Sequence, residues 1–361
     1  MKILVVAGAS GGHIYPALAF LEKLPEEKRV SAALLVLPSR SRKVDLNSCV
    51  YPVKYISSGR VKLTLSRESI FAFLSFIKGG WESFRIIIKF KPDIVVGFGS
   101  IDSIFLVMFA WFFRIKTIIH EQNVLPGKAN RFLVKFVDKI AISFPNSRLY
   151  FNLPADKLVL VGNPIRNSLK KISKEKALDF FDLDQNKFTI LVMGGSQGSQ
   201  HINAAFLNTV GSIKEKSDLQ VIHLLGQGES GKFQKLYEKI GIKARVFDFF
   251  NAMEFAYSAA NLIVTRSGAS TLSELIYFKL PAIIFPYPYA YRHQLENAKI
   301  LSESRCAVVL SEGNLDDGLF LKSLELLMKD KNVLNSMISN FDCFPIISAA
   351  SKLREVVLAL N

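Results

Sequence analysis

Short, mostly apolar runs alternate with longer amphipathic stretches along the whole chain. Unbroken apolar strands that alternate with helical patterns are typical of parallel sheets covered by helices on both faces. The pattern therefore predicts an α/β fold. The predicted strands are Ile3–Val6, Ala32–Leu37, Asp93–Val96, Thr117–His120, Lys139–Ile142, Leu158–Val161, Thr189–Met193, Val221–Leu225, Ala244–Phe247, Leu262–Thr265, Ala282–Phe285 and Ala307–Leu310.

Two segments of the chain resemble each other. "ILVVAGASGGHIYPALAFL" from Ile3 and "ILVMGGSQGSQHINAAFL" from Ile190 differ by one residue of slip, and each has the form of the first βα unit of a doubly wound domain. Gly162 and the pair Asn163-Pro164 end a strand before a polar, lysine-rich stretch. We therefore predict two tandem Rossmann-like doubly wound parallel-sheet domains, residues 1–162 and 163–344, with a cleft between them. A helix at about residues 345–361 could belong to either domain and could pack back on the first.

Composition and charge narrow the possible functions. Half of the 361 residues are hydrophobic, enough for large cores, and the net charge of +15 suits nucleic acid, an anionic membrane or an anionic substrate. The sequence has no zinc-finger spacing and no basic-aromatic RNA motif, so nucleic acid is not a predicted partner. The three cysteines lie far apart, which favours a reducing cytoplasm over a disulfide or zinc site. The apolar run 103–113 is too short to span a bilayer, and the N-terminal run is too short for a signal peptide.

The loop "GASGGH" joins the first strand to a helix. Ser10, Gly11 and Gly12 would let backbone amides approach a ligand at a positive helix N-terminus, although a tight turn capped by Ser10 is the alternative. Neither this loop nor "GGSQGS" has the glycine spacing of the dinucleotide fingerprint, which disfavours a nicotinamide dehydrogenase. His13 is either a polar residue of the first helical turn or a base, kept neutral by the helix N-terminus, that accepts a proton from a hydroxyl.

Polar residues also follow later strands. "HEQN", residues 120–123, ends a strand at the edge where α/β sheets bind ligands, but Glu121 and Gln122 could equally brace the helix that starts near Gly127. In "RSGASTLSE", Thr271 and Glu274 have the spacing of a capping box. The functional alternative places a pyrophosphate on the helix N-terminus and two ribose hydroxyls on Glu274.

Two more features allow both a structural and a functional interpretation. Gln294 and Asn297 share one helix face and could bind sugar hydroxyls or face solvent. The segment between Arg60 and Lys91 predicts a helix whose core-facing stripe is Ile70, Leu74, Ile77, Trp81, Phe84 and Ile88. Outside that stripe lie three phenylalanines with a basic rim, which indicates either a helix on an anionic bilayer or burial against another helix. The residues of this predicted membrane patch are Phe71, Phe73, Phe76, Arg67, Lys78 and Arg85.

The motifs "GASGGH", "HEQN", "GNPIR", "GGSQGS", "RSGASTLSE" and "HQLENA", in this order over nearly the whole chain, resemble the MurG family of bacterial peptidoglycan glycosyltransferases. The resemblance implies the two-domain GT-B fold, with the lipid acceptor and membrane on the N-terminal domain and the UDP-sugar mainly on the C-terminal one. It implies that Glu274 holds the ribose, that Phe250 lies by the uracil, and that Arg166 and Ser196 meet the donor's phosphate or sugar region. The implied UDP-GlcNAc contacts are Ser10, Gly11, Gly12, Asn123, Arg166, Ser196, Phe250, Ala269, Ser270, Thr271, Leu272, Ser273, Glu274 and Gln294.

The resemblance also implies the reaction. GlcNAc would pass from UDP-GlcNAc to the MurNAc 4-hydroxyl of undecaprenyl-pyrophosphoryl-MurNAc-pentapeptide with inversion, and His13 would be the base. No cofactor and no metal are expected, because no DxD-type carboxylate pair lies near either loop. The expected location is peripheral, on the anionic cytoplasmic face of the bacterial inner membrane, with roles in cell wall biogenesis, cell shape and cell division. The alternatives are a UDP-GlcNAc 2-epimerase on the same fold and a non-catalytic, membrane-docked sugar-nucleotide-binding subunit.

Two positions depart from the family pattern. Ser10 stands where the family has threonine, which keeps the hydroxyl. In "GSIDS" the residues Ser100, Ile101 and Asp102 replace the family's glycine, tyrosine and variable position, while Gly99 and Ser103 remain as the acceptor loop. Because that loop is expected to face the acceptor's diphosphate, an inward-pointing Asp102 would repel it.

Overall fold

The computed structural model describes residues 1–42, 46, 49–59, 67–195, 198–226, 228–289, 292–314, 318–345 and 348–360, and the side chains of all of these except 67–70 and 314. The chain divides into two compact units. The first consists of Met1–Asn167 together with Ile347–Asn361, and the second of Ser168–Ile346. The first unit therefore includes the C-terminal helix.

The described strands are β1 Lys2–Ala7, β2 Ala32–Pro38, β3 Val53–Ile56, β4 Ile94–Phe98, β5 Lys116–Glu121, β6 Lys139–Ile142, β7 Leu158–Leu160, β8 Phe188–Met193, β9 Leu219–Leu224, β10 Lys243–Phe247, β11 Leu262–Thr265, β12 Ala282–Ile284 and β13 Ala307–Val309. All twelve strands predicted from the apolar runs are present. Among the described strands, the one that the sequence did not predict is β3, "VKYI", which lies at the edge of its sheet and has only Ile56 fully buried.

The described α-helices are α1 Gly11–Leu21, α2 Arg67–Phe90, α3 Ile104–Phe112, α4 Lys128–Leu133, α5 Lys174–Phe180, α6 Gln200–Ser212, α7 Ser230–Lys239, α8 Met253–Ala259, α9 Ala269–Phe278, α10 His293–Glu303, α11 Leu319–Lys329, α12 Lys331–Asn340 and α13 Ala349–Ala359. Short 3₁₀ helices span Ser39–Ser41, Ile101–Ser103, Val134–Phe136, Pro145–Tyr150, Ala155–Lys157, Glu312–Asn314 and Phe341–Cys343.

The sheet of the first unit is parallel throughout, in the order β3-β2-β1-β4-β5-β6-β7. The strand order reverses between β1 and β4, and such a switch point opens a crevice at the carboxyl ends of the strands. Ala7 of β1 pairs with Phe98 of β4, so the two strands end at the same level. The loops 8–10 and 99–103 consequently leave the sheet side by side.

The sheet of the second unit repeats this plan with six parallel strands in the order β10-β9-β8-β11-β12-β13. Its switch point lies between β8 and β11, where Met193 pairs with Thr265. The loops "GGSQGS" and "RSGAS" begin there. The strands β1 and β8, which open the two similar segments, occupy the same central place in their sheets, and the predicted α/β class with two doubly wound sheets is confirmed.

Helices cover both faces of the first sheet because alternate residues of β1 point to opposite sides. Ile3 and Val5 pack in one core with residues of α1 and α13, whereas Leu4 and Val6 pack in another with residues of α2 and α3. The C-terminal helix is tied to the first unit by Arg354, whose guanidinium donates to the Lys23 carbonyl at 3.0 Å and to Glu26 at 2.9 Å.

Most of the stripe of α2 that was predicted to face the core is exposed, whereas Phe84 is half-buried and the side chain of Ile70 lies outside the described residues. Large side chains of this stripe are about half exposed: Leu74 55%, Ile77 52%, Trp81 58% and Ile88 45%. The helix instead packs through small residues, because a Cβ on Gly80 would come within 3.2 Å of the Phe105 ring of α3. Glycine lets the two helices approach closely at this point, and α2 also buries Ile86 and Ile87 in the core that it shares with α3.

Candidate active site

The first loop presents an uncapped helix N-terminus. Ser10 occupies the N-cap position of α1 with extended backbone, but its side chain makes no capping hydrogen bond. Its Oγ lies instead 2.8 Å from Nδ1 of His13. The prediction of Ser10 as a cap is therefore wrong, and the first amides of the helix lack a side-chain partner from that residue. A Cβ on Gly8 would overlap Ser100, which explains why the two loops need glycine at their contact.

His13 lies between these loops and keeps part of its surface exposed. Its Nε2 lies 3.3 Å from the place where a Cβ on Gly99 would stand. Burial lowers the pKa of His13 to about 4, while Asp102 opposes and Arg40 reinforces this shift. The imidazole is thus neutral near pH 7, as predicted, but its main cause is desolvation rather than the helix N-terminus. Among the described residues no hydrogen bond reaches Nε2, so this nitrogen can accept a proton.

The acidic residue of the GSIDS loop, Asp102, forms an ion pair with Arg40. Asp102 is 7% exposed, and its Oδ2 lies 2.5 Å from a guanidinium nitrogen of Arg40. Ser58 and Ser100 also donate to the carboxylate. The charge that was expected to repel a diphosphate is therefore compensated by an arginine. Gly99 and Ser103 flank this turn, and the Ser103 hydroxyl donates to the Ser100 carbonyl at 2.8 Å.

The HEQN segment braces its own loop. The Glu121 carboxylate accepts from the amide of Asn123 at 2.9 Å, the amide of Gly127 at 3.0 Å and the side chain of Asn130 at 2.8 Å. His120 is buried, lies 2.9 Å from the Gly162 carbonyl through Nε2, and has its pKa lowered to about 4 by desolvation. For Glu121 and His120 the structure favours bracing. Asn123, at the edge of the sheet, stays a predicted contact of the sugar donor UDP-GlcNAc.

Arg166 lies beside the glycine loop of the first unit. Its guanidinium stacks on the ring of Tyr15 at 4.2 Å, and its Nε is buried without a hydrogen-bond partner among the described residues. A Cβ on Gly11 would come within 2.9 Å of the same ring. A cation is therefore placed next to the uncapped N-terminus of α1, an arrangement suited to an anion.

The second unit also has an uncapped helix N-terminus. The helix α9 begins at Ala269, and its N-cap is Gly268, which has no side chain to cap it. Thr271 lies inside the first turn, so the predicted capping box does not form. Glu274, the other member of that box, instead accepts a hydrogen bond from the Tyr257 hydroxyl at 2.6 Å. Ser270 Oγ is buried without a partner among the described residues.

Gln294 holds the loops around this helix. Its Oε1 accepts from the amide of Tyr287 at 2.9 Å and that of Ser267 at 3.3 Å. Asn297 is fully buried and donates to the Ser267 carbonyl at 3.1 Å, so the prediction of a solvated face is wrong for this residue. Leu272 and Ser273, within the same set of predicted contacts, are buried in α9.

The sequence did not single out Arg266. It is 7% exposed, pairs with Glu312, and donates to Ser199 Oγ at 2.8 Å and to the Phe285 carbonyl at 3.1 Å. Ser199 caps α6, so Arg266 links the end of β11 to the loop after β8. A charged residue directly after an apolar strand was the available signal.

Phe250 and Ser196 are the remaining residues that were predicted to contact UDP-GlcNAc. Phe250 is partly exposed in an aromatic cluster, 4.9 Å from the Phe247 ring and 5.3 Å from the Phe181 ring between centroids. Ser196 lies outside the described residues.

The predicted membrane patch is partly rearranged. Phe71 and Phe73 are 70% and 51% exposed, and Lys78 and Arg85 are exposed as well. Phe76 is half-buried and packs on the Phe105 ring of α3 with a centroid separation of 4.5 Å, which for this residue favours the alternative of burial against another helix. The side chain of Arg67 lies outside the described residues.

The described part of the chain has neither a cluster of metal ligands nor a helix that could span a membrane. No group of three or more histidine, cysteine, aspartate or glutamate side chains that could hold a metal ion occurs there. In the same residues no helix has both the length and the apolar character needed to cross a membrane.

The comparisons with known proteins cover nearly the whole chain. Residues 3–142 match the model of the glycosyltransferase family 28 N-terminal domain, and residues 189–355 match that of the family 28 C-terminal domain. A Halalkalibacterium halodurans protein is 33% identical over 99% of both chains, and a Bacillus licheniformis protein is 33% identical over 100% of this chain and 99% of its own. Both are named UDP-N-acetylglucosamine--N-acetylmuramyl-(pentapeptide) pyrophosphoryl-undecaprenol N-acetylglucosamine transferase.

Solved structures share the fold. Acinetobacter baumannii MurG has a TM-score of 0.78 at 23% identity over 99% of both chains. A UDP-GlcNAc 2-epimerase from Neisseria meningitidis, bound to UDP-GlcNAc, has a TM-score of 0.70 at 16% identity over 100% of both chains. At these identities the likeness shows the fold alone, and the relatives at 33% identity decide the family. This chain belongs to the MurG family of N-acetylglucosaminyltransferases within glycosyltransferase family 28.

Proposed function

We propose that this chain transfers GlcNAc from UDP-GlcNAc to the MurNAc 4-hydroxyl of undecaprenyl-pyrophosphoryl-MurNAc-pentapeptide, with inversion at the anomeric carbon. The observation that carries the proposal is the uncapped N-terminus of α9 with Glu274 one turn later. The names of the relatives describe the same transfer. The product would be a lipid-linked precursor of the cell wall, which relates the enzyme to cell shape and division.

The second unit would bind the donor. The first amides of α9 point toward the loop 266–268 and carry about half a positive charge, which suits the pyrophosphate of UDP. Glu274 would accept hydrogen bonds from the ribose hydroxyls, and the Tyr257 hydroxyl bonded to it holds the carboxylate in place. Phe250, in its aromatic cluster, would lie by the uracil.

The first unit would supply the base. In the required tautomer, Nδ1–H of His13 donates to Ser10 Oγ and Nε2 accepts the proton of the attacking hydroxyl. The oxygen's electron pair then forms the bond to the anomeric carbon, and the bond to the donor phosphate breaks with its electrons on the departing UDP. The guanidinium of Arg166 and helix N-terminal amides would stabilise the negative charge that develops on the leaving group.

A transfer assay with purified protein tests this proposal. Radiolabelled UDP-GlcNAc and the undecaprenyl-linked acceptor should yield labelled lipid and an equal amount of UDP. A parallel reaction without the acceptor controls for isomerisation of the sugar nucleotide. UDP-ManNAc formed in that control would show an epimerase, and a protein that binds UDP-GlcNAc yet releases no UDP with the acceptor would show a non-catalytic subunit.

The first unit would also dock peripherally on the anionic cytoplasmic face of the inner membrane. Its exposed apolar surface continues from α2 onto the end of α3, because Trp81 stacks on Phe84 at 5.6 Å and Phe84 contacts Phe113 at 6.1 Å. Phe112, beside Phe113, is 70% exposed. Lys78, Arg85 and Arg114 are exposed around these rings. A large apolar surface with a basic rim is typical of proteins that bind an anionic bilayer.

Replacing two of these rings should weaken membrane binding. The double variant Trp81→Ser/Phe112→Ser is expected to bind phosphatidylglycerol vesicles roughly tenfold more weakly, since it removes apolar area that the bilayer would cover. Sedimentation with vesicles measures this effect, and circular dichroism checks the fold. Leu326→Ser, at a residue of α11 that is 52% exposed in the second unit, is the matched control. Equal sedimentation of all three proteins would contradict the membrane surface.

A further inference from the structure

The ion pair between Arg40 and Asp102 lies beside His13 and has no role in the transfer as described so far. Asp102 accepts hydrogen bonds from Arg40, Ser58 and Ser100, so its buried carboxylate is fully engaged. Arg40 retains some exposure, with 29% of its side-chain surface open. The pair joins two 3₁₀ helices, Ser39–Ser41 and Ile101–Ser103. These helices follow β2 and β4, the two strands that flank β1.

The turn that carries Asp102 is held in a costly conformation. Ser100 has φ +75° and ψ 156°, a region that residues with a side chain rarely adopt and that persists only where the surrounding contacts hold it. The Ser100 hydroxyl donates to Asp102 Oδ2 at 2.8 Å, and the Ser103 amide donates to the Ser100 carbonyl at 3.1 Å. These bonds keep Ser100 in this conformation, and Asp102 is therefore part of what holds the turn.

That turn forms one wall around His13. Ser100 lies against Gly8, and Gly99 lies against the imidazole ring, so neither glycine can carry a side chain. A shift of the turn would alter the space in which Nε2 meets the acceptor hydroxyl. The ring would also sense any change in the charge of the ion pair, because both partners act electrostatically on His13.

We propose that Asp102 is a positioning residue for the transfer reaction: it holds Ser100 and Arg40 so that the 99–103 turn closes on His13, and its negative charge stabilises the imidazolium that forms when His13 takes the hydroxyl proton. The proposal rests on the proposed function, since it assigns the proton to His13. Three ionisable groups face the histidine from the packed elements: Asp102, Arg40 and His120 of β5. His120 is neutral above a pKa of about 4, so the ion pair supplies the charge.

The two partners should move the pKa of His13 in opposite directions. Asp102→Asn leaves Arg40 uncompensated and should lower this pKa, whereas Arg40→Met leaves Asp102 uncompensated and should raise it by about one unit, because a nearby negative charge favours the imidazolium. The double variant Asp102→Asn/Arg40→Met should return it toward the wild-type value. Arg42→Met removes a neighbouring exposed charge that stacks on Tyr55 and should leave it unchanged. NMR titration of labelled histidine rings, with His13 assigned by His13→Gln, measures these values.

Turnover supplies the second readout. Asp102→Asn should lower kcat about tenfold at pH 7.5 with little change in KM for UDP-GlcNAc, because the imidazolium loses a stabilising charge. Shifts of the same sign in both single variants, or no shift in either, would overturn the proposal. If Asp102→Asn does not fold, the expected rise of the His13 pKa in Arg40→Met still tests the proposal. The NMR titration needs no acceptor, so it tests the effect of the ion pair on His13 independently of the transfer assay. A wild-type protein without transferase activity would refute the proposed function alone.

Discussion

His13→Ala is expected to lower the turnover number for sugar transfer by about 10²–10⁴-fold, the usual contribution of a general base. The ring is neutral near pH 7, and its Nε2 has no hydrogen-bond partner among the described residues. Without His13, residues 8–12 of the first loop offer no side chain basic enough to accept the hydroxyl proton. The transfer assay at saturating donor measures the effect, while UDP binding, assigned mainly to the second unit, should change little.

The pH dependence of the wild-type enzyme belongs to the same prediction. Because the folded pKa of His13 is lowered to about 4, the neutral form that accepts a proton is present above that value and is lost as the pH falls through it. The acid limb of kcat/KM, which reports the free enzyme, should therefore lie near pH 4 rather than near the ordinary value of 6.5. His13→Gln, which keeps a polar side chain but cannot take the proton, should be as slow as the alanine variant. Normal turnover in either variant would remove His13 as the base.

Glu274→Ala is expected to raise the Kd for UDP about 100-fold, since a carboxylate that accepts two ribose hydroxyls contributes roughly 1.5–3 kcal/mol per hydrogen bond. Calorimetric titration with UDP measures this loss. The structure shows the carboxylate already held by the Tyr257 hydroxyl at 2.6 Å, so the site is partly organised before the nucleotide arrives.

Tyr257→Phe is the matched control for that prediction. It removes the hydroxyl that holds Glu274 but keeps the carboxylate and the packing of the ring on Phe278, with centroids 5.0 Å apart. UDP should then bind less than about tenfold more weakly, the value of one neutral-to-charged hydrogen bond at the low end of its range. A wild-type Kd for Glu274→Ala would show that this carboxylate does not meet the ribose and that its role is to anchor α8 to α9.

The sequence was most informative where burial is complete. Both sheets are parallel and covered on two faces, so their strands are continuous apolar runs that stand out in the chain, and all twelve predicted ones occur. The edge strand β3 has four residues, of which only Ile56 is fully buried, and therefore no such run. The order of six motifs was enough to indicate the family.

Local patterns of polar residues were less reliable. Ser10 and Thr271 have the residue type and spacing of helix caps, but neither caps its helix. The Ser10 hydroxyl bonds to His13, and α9 begins two residues before Thr271, where Gly268 permits the turn. A capping pattern indicates which hydrogen bond a side chain can make. Whether that bond forms depends on where the helix starts and on which other partners compete for the side chain.

By itself the sequence determined the α/β class, the two doubly wound domains, the family and the residue types available for chemistry, because these follow from periodicity and from motifs within single loops. Tertiary structure decided which face of α2 is exposed, since the choice depends on the small residues that let it approach α3. It also decided that Asp102 is paired, because its partner Arg40 follows a different strand and lies 62 residues away in the chain. Contacts between distant segments depend on strand order, and no local pattern contains that information.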